Sequence, residues 1–180
     1  PKGAGRINYM TAVTEVDGEL VEILDVERIL NEISPVSTEV SAELVEASVE
    51  RNPHGRPVLV ADDSSVARKQ VQRALEAIGV QCVLAKDGRE ALNMLLEMAK
   101  QGPILDQIAL VISDIEMPEM DGYTFTAEIR NNPNLKDLHV ILHTSLSGVF
   151  NQAMVQKVGA NNFIAKFQPD ELAKAVQGAL

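Results

Sequence analysis

From residue 57 onward the hydrophobic pattern switches repeatedly between two periods. "PVLVA" is a short continuous apolar run closed by Asp62 and Asp63, and "SSVARKQVQRALEAIG" behind it repeats apolar residues at Val71, Ala74, Leu75 and Ile78. That spacing predicts one buried helix face, with Gly79 as the stop. The alternation recurs: "VQCVLA" precedes "DGREALNMLLEMAKQG", "IALVIS" precedes "DGYTFTAEIRNNP", "HVILHT" precedes "SGVFNQAMVQKVG", and "NFIAK" precedes "QPDELAKAVQGAL". Five strands each followed by a helix predict an α/β fold with a five-stranded parallel sheet covered on both faces, since every parallel neighbour needs a crossover. In such sheets, sites form beyond the carboxyl ends of the strands.

The preceding stretch follows a different pattern. "MTAVTEVDGELVEILDV" reads as two β-rich runs around Asp17-Gly18, a dipeptide favoured in tight hairpin turns. "DVERILNEI" then sets Val26, Leu30 and Ile33 at helical spacing before Ser34-Pro35. A hairpin and a helix of this size bury little apolar surface alone and are expected to lean on something else. Residues 36–56 read as an acidic linker, part helical around Val40, Leu44 and Val45, and "NPHGRP" marks the boundary. The chain starts on Pro1, as a fragment or processed product does.

Composition narrows the function. With 26 acidic against 16 basic side chains and a net charge of -10, the chain repels a phosphate backbone, so nucleic acid is not an expected partner. No apolar run approaches the ~20 residues of a membrane helix, so no direct membrane insertion is expected. Cys82 is the single cysteine, which fits a reducing, cytoplasmic setting, and its apolar surroundings predict a buried thiol.

The predicted strand ends collect Asp62 and Asp63, then Asp114, Thr144 and Lys166. Carboxylates crowded together repel one another unless a cation joins them, and hard oxygen ligands suit Mg²⁺. Asp114 is thus a ligand, a nucleophile, or both. A carboxylate attacking a phosphoryl group gives an acyl phosphate, and a lysine and a hydroxyl nearby would neutralise charge on the phosphoryl oxygens. Taken singly, each has a plainer role: Asp63 as a helix cap, Asp121-Gly122 as a turn and helix start, Lys166 as a solvated cation, Thr144 as a β-branched strand residue. His143 reads as packing or surface, and the pair Met117 and Met120 as loop packing.

"VLVADDSS", "VISDIEMPEMDGY", "ILHTS" and "NNFIAK" resemble the signature segments of a response-regulator receiver domain over residues 57–180. The resemblance implies a flavodoxin-like doubly wound (βα)5 fold with Asp114 as phosphoacceptor. It implies Mg²⁺ held by Asp62, Asp63, Asp114 and the backbone carbonyl of Glu116, Thr144 and Lys166 on the phosphoryl group, and Phe163 as the aromatic switch. Phe167 departs from the family, which usually has Pro there. Residues 1–35 resemble the C-terminal end of a CheW-like coupling domain, and together the two segments point to the CheV family of chemotaxis adaptors. That implies the histidine kinase CheA as phosphodonor, a chemoreceptor-kinase array as setting, and a role in adaptation or as a phosphate sink. With Leu180 directly behind the fifth helix, no DNA-binding output is expected there. Two alternatives stay open: a receiver that binds protein without phosphorylation, and an aspartate-nucleophile phosphohydrolase with Glu116 as general acid.

Overall fold

The computed structural model describes residues 10–16, 18–24, 55–144, 156–166 and 168–180. The chain separates into two compact units, Pro1–Ser37 and Thr38–Leu180.

In the first unit, β1 (Met10–Val16) pairs antiparallel with β2 (Glu19–Leu24), and Val16 faces Glu19 across the turn. Gly18 takes a φ of 84°, the left-handed conformation that such a tight turn requires. The predicted hairpin is therefore present. The helix expected around Val26 to Ile33 and the segment 36–54 lie outside the described residues.

The second unit runs β3 (Val58–Ala61), α1 (Ser65–Ala77), β4 (Cys82–Ala85), α2 (Gly88–Gln101), α3 (Ile104–Gln107), β5 (Val111–Asp114), α4 (Gly122–Asn131), β6 (Val140–Thr144), β7 (Asn162–Ala165) and α5 (Pro169–Ala179). Residues 156–158 are also helical. All strand pairs are parallel, in the order β4-β3-β5-β6-β7. The strand order reverses at β3 and β5, as in flavodoxin-like sheets, and this switch point is where ligand sites form.

Alternation along the strands divides the interior into two cores. Val58, Val60, Ile112, Ile141 and Ile164 pack with Val71, Leu75 and Ile78 of the first helix region and with Leu172 and Val176 of α5. Leu59, Ala61, Val111 and Val140 pack on the other face with Leu92 and Leu95 of α2 and Phe125 and Ile129 of α4. Central strands buried on both faces explain the continuous apolar runs in the sequence.

Three departures from the predicted elements have local causes. The second run starts its strand at Cys82 because the Val80 N–H turns back to the Leu75 carbonyl at 2.9 Å, closing the helix end with Gly79 at φ 72°. The third begins at Val111 because the one-turn helix α3 claims Ile108, whose N–H donates to the Ile104 carbonyl at 2.9 Å. Cys82, predicted buried, is half-buried on the edge strand, where burial and then Glu76 push its thiol up to about 12. Among the described residues, no helix is long and apolar enough to cross a membrane.

Candidate functional site

The carboxyl ends of β3, β5, β6 and β7 bring the candidate residues to one edge. Asp62 directly follows β3, and its Oδ1 accepts from the Ser64 N–H at 2.8 Å in a tight local turn. Ser64 then caps α1, its hydroxyl accepting from the Ala67 N–H at 3.3 Å. The capping role open to Asp63 thus falls to Ser64, leaving the Asp63 side chain exposed.

Asp114 ends β5. Its Oδ1 accepts from the Ile115 N–H at 2.7 Å, and its carbonyl accepts from the Ser113 hydroxyl at 2.8 Å. The following loop is closed by the Gly122 N–H donating to the Ile115 carbonyl at 2.9 Å and is tied to α2 by the Gly88 N–H on the Met120 carbonyl at 3.2 Å. Asp121 caps α4 through Thr124, as its pairing with Gly122 predicts. Met120 is buried and Met117 packs on the same core, so both are loop packing.

Lys166 follows β7 and reaches back across the sheet. Its Nζ lies 2.9 Å from Asp114 Oδ2 and 2.9 Å from Asp62 Oδ2, and all three side chains are nearly buried. The contact to Asp114 is a hydrogen bond. The one to Asp62 is an ion pair at the same distance, so a single ammonium serves a buried oxygen of each acid.

Burial pushes the Asp62 carboxyl up to about 6, with Lys166 pulling it back and Asp114 adding to the rise. Burial also raises Asp114 against the pull of Lys166. For Lys166, burial favours the neutral amine, yet the two carboxylates outweigh it and hold the ammonium above its ordinary value. One lysine therefore partly neutralises two desolvated acids while a third acid, Asp63, stands beside them.

Carboxylate oxygens of Asp62, Asp63 and Asp114 lie within 4.8 Å of one another. Three carboxylates within this reach, with one ammonium shared between two of them, form a hard-oxygen set that fits a small divalent cation. Glu116, two residues beyond Asp114, is exposed on the adjoining loop.

Thr144 ends β6, fully buried, and its carbonyl accepts from the Lys166 N–H at 2.8 Å. Phe163 on β7 packs in a small cluster with Ile115, Leu142, Tyr123, Val158 and Ala160. His143, in register with Asp114, is buried packing, and burial followed by Lys166 pushes its imidazole down to about 3. Phe167 and the segment 145–155 lie outside the described residues. Two residues not singled out from the sequence support the site's backbone: Arg68, whose Nη1 donates to the Asp62 carbonyl, and Gly88, which with Gly122 of the expected turn holds the loop after Asp114.

Comparisons with known proteins agree with this architecture. Over 175 residues, 97% of this chain and 53% of the relative, the chain is 28% identical to the chemotaxis protein CheV1 of Helicobacter pylori. It is also 33% identical over 137 residues to the sensor histidine kinase CheAY of that organism, covering 74% of this chain and 16% of the relative. The structure of the Vibrio cholerae chemotaxis protein CheY4 superposes with a TM-score of 0.59 at 30% identity, over 69% of this chain and 98% of that one. The chain spans about half the length of the CheV relative. The family profile of the response regulator receiver domain matches residues 58–177. The chain thus belongs to the response regulator receiver family, in a CheV-like form.

Proposed function

We propose that the chain is a chemotaxis signalling adaptor whose receiver takes a phosphoryl group on Asp114 from a histidine kinase of the CheA type. The observation that carries this reading is the Asp114 carboxylate, buried at a strand end, with Lys166 on Oδ2 and the Ile115 N–H on Oδ1.

In the proposed reaction a carboxylate oxygen of Asp114 attacks phosphorus and forms the P–O bond of an acyl phosphate. The P–N bond of a phosphohistidine, or the P–O bond of acetyl phosphate, breaks, and its electron pair leaves with the imidazole or acetate. Lys166 offsets charge on the phosphoryl oxygens, and the Thr144 hydroxyl donates to one of them. Mg²⁺ held by Asp62, Asp63, Asp114 and the Glu116 carbonyl would supply further neutralisation of that charge. Phosphorylation then biases Thr144, residues 145–149 and Phe163 between two arrangements and alters the surface beside them.

In this reading residues 1–35 are the end of a CheW-like coupling domain, 36–56 the linker and 57–180 the receiver. The phosphorylated receiver modulates cytoplasmic receptor-kinase coupling, as adaptation or as a phosphate sink. The test is intact-mass spectrometry of the parent and Asp114→Asn, each with Mg²⁺ and acetyl phosphate, then with CheA. Gain of one labile phosphoryl group by the parent alone is expected. No gain from either donor would overturn the phosphoacceptor reading and favour a phosphorylation-independent binding module.

A further inference from the structure

Arg68 lies in the first turn of α1, where the helix dipole favours an acid and disfavours a cation, and that turn contains no acid. A local rule broken in this way marks a position kept for another reason. Arg68 folds back instead of extending into solvent, and its Nη1 donates to the backbone carbonyl of Asp62.

That carbonyl belongs to the peptide joining Asp62 to Asp63. On its other side the Asp62 N–H donates to the Ala85 carbonyl of β4 at 3.2 Å. Asp62 is thus clamped from the sheet edge and from α1, while Ser64 holds its Oδ1 and Lys166 flanks its Oδ2. Lys166 meets the Asp62 carboxylate at 2.9 Å, whereas Arg68 meets the Asp62 backbone carbonyl, so the effect of Arg68 is geometric.

We infer that Arg68 is a positioning residue for the acid pair. By fixing the plane of the Asp62-Asp63 peptide it sets the direction in which both carboxylates leave the backbone, and hence the affinity of the three-acid cluster for a divalent cation. This inference rests on the reading of Asp62, Asp63 and Asp114 as a metal-binding cluster.

The test measures Mn²⁺ binding by electron paramagnetic resonance and calorimetry in the parent, Arg68→Ala, Arg68→Lys and Asp114→Asn. Thermal melts and the Mg²⁺ dependence of phosphorylation by acetyl phosphate are recorded alongside. Arg68→Ala is expected to weaken Mn²⁺ binding about tenfold, as loss of a group supporting metal ligands typically does. The Mg²⁺ concentration for half-maximal phosphorylation should rise by the same factor, while the melting temperature stays near the parent's. Arg68→Lys, which keeps one donor and the charge, should fall between the two and carries the test if the alanine variant does not fold. Unchanged Mn²⁺ affinity in folded Arg68 variants would overturn the inference, as would a lowered maximal rate with unchanged affinity. Absence of Mn²⁺ binding in the parent would overturn the metal-cluster reading itself, and the role of Arg68 with it.

Discussion

Gly122 approaches Asp114 so closely that a β-carbon placed on it would lie 2.1 Å from the Asp114 carbonyl oxygen. The same β-carbon would meet the Ile115 α-carbon at 3.0 Å, so backbone and not a flexible side chain would have to give way. Gly122→Ala is expected to destabilise the receiver by about 1–3 kcal/mol through this overpacking and to slow phosphorylation of Asp114 at saturating Mg²⁺. Urea unfolding and acetyl phosphate kinetics check this; a variant with parental stability and rate would show that the loop absorbs the methyl group.

Lys166 is the counterion of two desolvated acids. Lys166→Met keeps most of the side-chain length but leaves Asp62 and Asp114 facing one another without a cation. Breaking such a buried pair costs about 3–5 kcal/mol at neutral pH. Both acids already titrate above their ordinary range, and the substitution raises them further. The folded variant therefore binds protons before the unfolded one does, and its deficit should shrink as the pH falls from 7 toward 5. Paired urea titrations across that range measure it, and a pH-independent deficit would contradict the assignment.

His143 gives a pH dependence of the opposite sign. Its folded value of about 3 lies below the ordinary 6.5, so its contribution to stability is complete above 6.5 and is lost as the pH falls toward 3. Below 6.5 the unfolded chain takes up a proton that the folded chain refuses, a loss of about 1.4 kcal/mol per pH unit. Asp62, raised to about 6, gains stability over part of the same range, but it is common to parent and variant. His143→Leu should therefore gain on the parent as the pH falls from 6.5 to 4, whatever its stability at neutral pH. Parallel acid-limb curves for the two chains would refute the prediction.

Arg130 acts at the other end of the sheet. Its guanidinium donates to the carbonyls of Gly159, Lys136 and Leu138 and to Asn161 Oδ1, at 2.7–2.9 Å. Asn161 Oδ1 also accepts from the Val140 N–H at 2.8 Å, so one side chain joins α4 to the entries of β6 and β7. Arg130→Ala should cost about 2–3 kcal/mol, since several carbonyls lose a charged donor together. Lysine cannot reproduce the planar fork, so Arg130→Lys should recover little. Denaturant melts with parallel mass spectrometry should show lower stability with phosphorylation of Asp114 retained.

The periodic elements were legible because their signals are local. Gly18 with its left-handed φ, Gly79 behind the first helix and Asp121 as a cap each act within a few residues of themselves. The carboxylate cluster was legible for another reason: a parallel sheet carries every strand end to one edge, so Asp62, Asp63, Asp114 and Lys166 converge once the strands are named. The one-turn helix α3 was not, because four residues are too few to establish a period. The contacts of Arg68, Gly88 and Gly122 were equally hidden, since each depends on a backbone carbonyl that only the folded chain brings near.

The Lys166–Asp114 pair joins residues separated by 52 positions, with β6 and its crossover between them. Such a contact forms late, because a long loop must close before it is rewarded. A receiver caught partway through folding has its acids but not their counterion, and it lacks the neighbouring strands that exclude water from them. The charge balance of the acid cluster is therefore a property of the finished sheet, and no single strand or hairpin of the receiver carries it alone.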